Sequence, residues 1–543
     1  MSIPAGQTAS TVKPVAASGS FAPLRQKVFA VLWAATVLGN VGSFMRDVAN
    51  SWLITDLSAS PTAVAAIQAA ATLPVFLLAI PAGVLSDILD RRKFLIFIQV
   101  LLAATSAALM VLSASGLLTI SSLVALTLLG GIGAALMAPT WQSIVPDLVP
   151  RGDLRSAVAL NSLGINISRS IGPALGGLLL AAVGAAITYA ANVVTYLFVI
   201  AALVWWKPPA RPQDDLAERT VGAFRAGFRY AKASRPLHRV LLRALIFFAF
   251  ASAAWALLPL VARHLLGGDA GFYGLLLSAV GAGAIVGALL LPRMRLRLDT
   301  DGLMLATAIG TAVVMAAIAF APPQWLAVAL LLVLGVAWII ALTTLNSTAQ
   351  AILPNWVRGR GLAVYLTIFN GALTGGSLAW GLVAERLGES TALLISAAGL
   401  LAVSLALYRV KLPLGEADLV PSNHWPEPLT AAPVEHDRGP VMILIEYRIR
   451  PENRAGFLDA ITSLSETRRR DGAYAWGVTE DAADPERIVE WFMVESWAEH
   501  LRQHKRVSRA DADLQREVMR FHVGPEAPRV QHLLGLPKSA SLP

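Results

Sequence analysis

Polar and ionisable residues set at helical spacing inside apolar stretches are the first feature of this chain that could do chemistry. Asn40, Ser43, Asp47, Asn50 and Ser51 recur mostly three or four residues apart, with Arg46 beside them. On a helix that spacing makes one polar stripe. Ser162, Asn166 and Arg169 repeat the device further along, and Thr367, Asn370 and Thr374 repeat it again. A charge at the centre of a bilayer costs about 2.5–3.5 kcal/mol on insertion scales, so such residues are substrate- or ion-path candidates by default. A carboxylate close to low dielectric is held nearer neutrality, which makes Asp47 the candidate for proton exchange. Arg169, near the middle of its stretch, suits an anionic or catechol-like solute. The competing expectation is a static ion pair of Asp47 with Arg46 or Arg169 that only holds helices together, or an Asp47 facing the headgroups. Arg243, near the start of its own apolar stretch, is expected to snorkel.

Other chemistries are excluded or left unsupported. With no cysteine the chain has no disulfide, no Cys-ligated zinc, no iron–sulfur cluster and no thiol nucleophile. No G-x-x-x-x-G-K-[ST] loop occurs, which argues against ATP-driven pumping. A channel needs a repeated pore-lining motif or charged ring, and neither is present. His500 and His504, spaced i, i+4, share a helix face and could ligate a metal. A packed, hydrogen-bonded histidine pair is the plainer expectation, so no metal, cofactor or enzymatic activity is assigned. The net charge of +9 is better explained by arginines in membrane loops than by a nucleic-acid partner.

The elements that must position these residues are membrane helices. Charged residues make up 15% of the 543, against about 25% in soluble domains. They are unevenly spread: 30 of the 79 lie between Val441 and Gly535. That asymmetry reads as a membrane domain followed by a soluble one. Twelve stretches are long enough to cross a bilayer of about 30 Å, near 28–55, 62–86, 94–114, 117–138, 155–181, 184–206, 239–264, 271–292, 302–321, 324–349, 360–384 and 389–410. An N-terminus on the inside puts Lys27, Arg91–Lys93, Arg151, Arg155, Lys207–Arg239, Arg293–Arg297, Arg358 and Arg360 on one face. The other face holds little beyond Arg263 and Arg386, a strong positive-inside bias with both termini cytoplasmic. The set also divides six plus six. Gln142 and Pro146 recur as Gln350 and Pro354 at an offset of 208, and Arg151-Gly152 as Arg358-Gly359 at 207. Such a repeat is the mark of a secondary transporter with a midplane site between its halves.

Three motifs carry a family resemblance. Residues 25 to 411 look like the major facilitator superfamily. The loop at Gly83, Asp87, Arg91 and Arg92 resembles that superfamily's G-x-x-x-D-R-x-x-R-R motif, departing from it at Ile88, and the resemblance implies a cytoplasmic gate latch. Gly172-Pro173-Ala-Leu-Gly176-Gly177 is similar to the GPxxGG end of the helix 5 motif of drug and proton antiporters. Ser168 stands where that motif has an upstream glycine, and plain helix packing is the competing reading. The strings LNSLGINISRSIGPALGGLL (160–179) and SWAEHLRQHKRVSRAD (496–511) resemble the exporter branch that includes siderophore (enterobactin) exporters, also labelled transmembrane secretion effectors. The resemblance implies proton-coupled efflux.

The tail alternates in a different register. Val441, Ile443, Ile445, Tyr447 and Ile449 read as a strand, and Phe457, Ala460, Ile461 and Leu464 as an amphipathic helix. Strands near 474–478 and 488–494 follow, then a helical stretch over 497–521 broken near Val507, then a strand at 530–534. The order βαββαβ predicts a ferredoxin-like α+β domain. It resembles dimeric α/β-barrel proteins related to antibiotic-biosynthesis monooxygenases, which implies a possible homodimer through this domain. The run Arg468–Arg469–Arg470 is expected to be solvated or to face anionic lipid.

The fold expected is therefore an all-α membrane protein of twelve transmembrane helices in two six-helix pseudo-repeats, plus a C-terminal α+β ferredoxin-like domain. The divisions are a disordered tail (1–26), an N-terminal bundle (27–206), a cytoplasmic loop (207–238), a C-terminal bundle (239–411), a linker (412–438) and the soluble domain (439–535). The function expected is proton-coupled efflux of a siderophore, metabolite or drug across a bacterial inner membrane. The alternatives are an importer, or a membrane-anchored enzyme or sensor acting through its tail.

Overall fold

A helix in hydrocarbon satisfies its own backbone hydrogen bonds, so apolar stretches of this length have no other open-ended form available to them. The computed structural model describes residues 21–208, 230–354, 357–413, 422, 425, 428 and 430–536. Most of the expected loop 207–238, much of the linker and residues 1–20 lie outside the described residues. Within the expected disordered tail, Ala22–Arg25 form a short 3-10 helix instead.

Twelve helices are long and apolar enough to cross a membrane, and the protein is a multi-pass membrane protein. They are α1 (Lys27–Leu57), α2 (Pro61–Ile88), α3 (Arg91–Ala114), α4 (Ile120–Leu148), α5 (Leu154–Val183), α6 (Ala185–Trp205), α7 (Arg235–Leu260), α8 (Ala270–Arg295), α9 (Thr300–Ala319), α10 (Gln324–Ile352), α11 (Arg358–Leu387) and α12 (Glu389–Leu407). A π-helical turn, Val261–Leu265, prolongs α7. Ser60, Asp90, Thr119, Asp269 and Asp299 each accept a backbone N–H as N-caps, which satisfies a donor that the helix start leaves free. The tight join after α5 is a single residue, Gly184, with φ +83°. Gly388 makes the same join between α11 and α12 with the same φ. Only glycine takes that backbone without strain, and its recurrence marks the two halves as structural repeats.

The halves meet along two long seams, α2 against α11 and α5 against α8. At the end bearing the short 57–61 and 387–389 connections they are also bolted together. Arg263 at the end of α7 reaches Asp56 (2.5 Å) and Thr55 (2.9 Å) in the last turn of α1. Glu385 of α11 accepts from the Ser60 hydroxyl (2.6 Å) and the Thr62 amide (3.1 Å) at the start of α2, and Trp52 stacks on Tyr273. Within the halves, α4 packs extensively on α2 and α10 on α8. The carboxylate bridges between the halves lie at the short-loop end.

Arg243 does not snorkel. Its guanidinium is buried on Asp301 (2.9 Å) and on the carbonyls of Leu407 and Val410, tying α7 to α9 and the end of α12. Three acceptors, one on α9 and two at the end of α12 and just after it, outcompete the water that snorkelling would reach.

The tail forms a four-stranded antiparallel sheet, β1 (Val441–Arg448), β2 (Ala475–Glu480), β3 (Arg487–Val494) and β4 (Arg529–Leu534), in the order β2-β3-β1-β4. Helices α13 (Arg454–Arg470), α14 (Trp497–Arg506) and α15 (Arg509–Met519) accompany it. This is the ferredoxin-like α+β arrangement. The break at Val507 is real: Ser508 and Asp511 make a reciprocal capping box that restarts the helix. Phe457, Ile461 and Leu464 of α13 are buried with Val441, Ile443, Tyr447 and Phe492 of the sheet.

The arginine run is not uniformly solvated. Arg468 is fully buried on Glu490 (3.1 Å), which also accepts from Trp476 Nε1 and Tyr447 Oη. Arg470 pairs with Asp511 (2.6 Å) and Asp471 (3.4 Å), and only Arg469 is exposed. Helical periodicity turns 468 inward while 469 points out. Arg235 at the start of α7 bridges to Glu466 of α13 (3.1 Å). Tyr230, Ile352, Thr467 and Leu514 line the same junction, so the tail rests against the basic end of the second half.

Candidate functional site: a polar cavity in the first half

The stripe on α1 does face a cavity. Trp33, Val37, Asn40, Phe44 and Asp47, spaced three or four apart, line a space of about 290 Å³ together with Trp141 of α4 and Asn161 and Ile165 of α5. Gln99 of α3 and Tyr196 of α6 form its back wall. From Trp33 to Asp47 the lining runs for about 21 Å of α1 at 1.5 Å per residue. Aromatic walls with a few polar groups describe a site for a small organic solute.

Asp47 pairs with its chain neighbour Arg46 (2.9 Å), not with Arg169. The two partners sit differently. Arg46 is buried, while half of the Asp47 side chain is accessible. Arg46 also donates to Tyr196 Oη (3.2 Å), which bonds to Ser43 Oγ (2.9 Å). Gly130 of α4 makes room for the guanidinium, since a Cβ there would lie 3.2 Å from Arg46 Nη1. Arg46 is thus anchored by the protein, and Asp47 presents its carboxylate to the cavity from that anchor.

Asn40 belongs to this cavity, and Asn50 does not. Asn50 is buried, donating to Thr127 Oγ1 (3.0 Å) and accepting from Tyr189 Oη (2.8 Å). That interaction ties α1 to α4 and α6. Asn166 and Asn370 donate to the carbonyls of Ser162 and Leu366 one turn earlier in their own helices. Thr374 bonds across the seam to Thr72 (2.7 Å). Arg169 is partly buried and makes no hydrogen bond or ion pair with the described residues. Residue-type reasoning missed Tyr196, Gln99 and Asn161. Tyr189, Asn192 and Tyr196, at i, i+3 and i+7 in an apolar helix, were the signal that α6 carries a polar face of its own.

In the loop motif, Arg91 donates to the Ser143 carbonyl (2.9 Å) and lies 3.9 Å from Asp147, clamping the start of α3 to α4. Arg92 caps the end of α6 through the carbonyls of Leu203 and Val204. The side chain of Asp87 lies outside the described residues. A Cβ on Gly83 would meet nothing within 4 Å. In the helix 5 motif, by contrast, every glycine is a close contact. Gly172 and Gly176 lie against Phe44 and Met45 of α1, and a Cβ on Gly177 would come within 2.8 Å of Gly274 on α8. Pro173 contributes its carbonyl to the same crossing.

The tail has a pocket of its own, about 460 Å³, lined by Trp425, Ile443, Arg468, Phe492, Val530 and the rings of His500, His504 and His532. The expected His500–His504 pair forms, with the two Nε2 atoms 3.2 Å apart. His532, which no sequence spacing links to them, joins it from β4. Burial, with the charges of His504 and His532 nearby, pushes the His500 imidazole down to about 3. Burial lowers that of His532 as well.

The family model of the transmembrane secretion effectors, in the major facilitator superfamily, matches residues 18–540. The chain belongs to this family. Among relatives of this transmembrane secretion effector, a staphyloferrin A transporter from Staphylococcus aureus is 25% identical over 47% of the chain and 64% of its own length. An enterobactin exporter from Citrobacter koseri is 30% identical over 48% of the chain and 62% of its own length. The chain thus spans somewhat under two thirds of the length of the curated relatives it matches. Solved structures agree in fold. A bacterial homologue of the human lysosomal transporter Spinster, inward-facing and unoccupied, superposes with TM-score 0.57 at 16% identity over 72% of this chain and 97% of that one. A D-xylose–proton symporter gives 0.57 at 15% identity over 72% and 99%.

Proposed function

We propose that this protein is a secondary active exporter that carries a small organic molecule (a siderophore, metabolite or drug) outward by alternating access in exchange for protons. The observation that carries the reading is the α1-lined cavity with an anchored Arg46–Asp47 pair, set in a molecule whose halves are bridged at the short-loop end. In this reading the basic end faces the cytoplasm of a bacterial cell, both termini lie there, and the conformer is open inward. The distribution of loop arginines supports that orientation. Relatives named as a staphyloferrin A transporter and enterobactin exporters support an anionic, metal-chelating solute as cargo.

Asp47 is the group that exchanges the proton, Asn40 and Arg169 orient the solute, and Asn166 and Asn370 contribute polar surface as the halves move. Asn50 and Arg46 hold the cavity wall. Gly83, Asp87, Arg91 and Arg92 form the inner gate, and Gly172, Pro173, Gly176 and Gly177 the bearing on which α5 moves against α1 and α8. The chain divides as bundle 27–206, loop 207–238, bundle 239–411, linker 412–438 and soluble domain 439–535. Self-association of the soluble domain would use the outer sheet face, where Met442, Leu444, Trp491 and Met493 are only partly covered and Leu533 is half exposed.

Proteoliposomes under an imposed pH gradient test the core of this. Added hydroxycarboxylate or catecholate chelators should accumulate in vesicles whose interior is acidic, as protons leave in exchange. Asp47→Asn should abolish the dependence on pH while leaving solute binding within a few-fold. Transport that ignores the gradient in the unaltered protein would remove proton exchange from the proposal.

A further inference from the structure

The three histidines of the tail converge from two elements that the chain separates by 28 residues. His500 and His504 stand one turn apart on α14, and His532 sits on β4, where it faces Ile443 of β1 on the inner side of the sheet. One ring nitrogen from each lies within 4.8 Å of the other two. The His500–His504 separation of 3.2 Å is about what two imidazoles adopt on one tetrahedral ion with bonds of about 2.0–2.1 Å. His500 is also oriented from behind. Its Nδ1 lies 3.4 Å from Gln503 Oε1, an acceptor that suits the tautomer protonated on Nδ1, in which the Nε2 lone pair is free for a metal. This is the outer-shell arrangement that fixes metal-ligating histidines.

The surroundings suit a cation and a further ligand. Arg468, the arginine among the described lining residues, is neutralised by Glu490 and stacks on Trp425 and Phe492. The three rings form part of the wall of the 460 Å³ pocket, so a coordination position can face open space. A plain hydrogen-bonded histidine pair accounts for His500 and His504, but it does not account for the third imidazole brought against them from β4.

We propose that His500, His504 and His532 form a three-imidazole site for a first-row divalent transition metal, with a remaining position open to the aromatic pocket for water or an oxygen-donor ligand. Imidazole-only ligation selects zinc, copper, nickel or ferrous iron over magnesium or calcium. The site is independent of the transport reading and stands or falls separately from it.

The test uses the full chain in detergent, purified without a polyhistidine tag and stripped by chelator dialysis. After reloading with Zn²⁺, elemental analysis should find about one ion per chain. Titration with Co²⁺ should give the visible bands of a low-symmetry nitrogen site. His504→Asn and His532→Asn should each weaken Co²⁺ binding by at least about 10-fold, whereas His522→Asn, in the same domain but outside the cluster, should leave it unchanged. His532 is partly exposed on an edge strand, so its variant keeps the sheet, which amide exchange of β1 and β3 verifies. Unaltered protein that retains no stoichiometric metal, or Co²⁺ binding that survives the His504/His532 double variant, would overturn the site and leave a histidine hydrogen-bond cluster.

Discussion

Single residues in the tail are governed by what burial does to charge. Glu490 is fully buried and accepts from Arg468, Trp476 and Tyr447. Removing the guanidinium leaves a buried carboxylate without its counter-charge, which costs about 3–5 kcal/mol. Arg468→Leu should therefore unfold the tail well before the helices, read as amide exchange of β3 collapsing to that of an open segment. Asp471 behaves in the opposite sense. Burial pushes its carboxyl up from 3.8 to about 6, against the pull of the Arg470 guanidinium. A raised folded-state pKa means that folding takes up a proton between those values. The stability this gives is complete below pH 3.8 and lost as the pH rises through 6. Asp471→Asn should stabilise the tail at pH 7 by up to about 3 kcal/mol and change little at pH 4. A gain of equal size at both pH values would assign the effect to something other than this proton.

At the scale of elements, the two glycine sites make opposite demands. Gly177 meets Gly274 where α5 crosses α8, with no room for a Cβ. Close backbone approach of that kind is how helices associate in lipid, where no hydrophobic force drives them together. Gly177→Leu should prise that seam apart and lower the melting temperature of the full chain by several degrees. Gly83 has free space around it in this conformer, so Gly83→Leu should leave the melting temperature unchanged. If the basic end closes during transport, the same substitution blocks that closure and should cut the transport rate at least about 10-fold. Normal transport with leucine at 83 would mean that α2 does not enter a tight contact there in any state.

For the molecule as a whole, the question is what holds one end shut. Arg263 with Asp56 and Thr55, and Glu385 with Ser60 and Thr62, span the halves at the short-loop end. Exposed pairs are worth about 0–1 kcal/mol each, enough to bias two conformers several-fold without locking either. Asp56→Asn combined with Glu385→Gln should raise labelling of a cysteine introduced at Asn40 from the short-loop side, while lowering it from the basic side. Unchanged labelling from both sides would show that the seams, and not these bridges, set the balance.

The count of twelve helices and their pairing into repeats were legible because length and hydropathy are local properties that a bilayer constrains directly. The tail's strand and helix order was legible for the same reason, through periods of two and 3.6. The polar stripe on α1 was visible, yet its partition was not. Neighbouring Arg46 and Asp47 differ by one helical step, and only the packing of α4 and α6 decides that the first is buried on Tyr196 while the second reaches the cavity. Arg243 and Arg468 were misread because an arginine in sequence looks the same whether it finds water or a carboxylate brought from another element. The third histidine is the clearest case: the i, i+4 pair on α14 is written in the chain, but the sheet register that sets His532 beside it exists only in the folded protein.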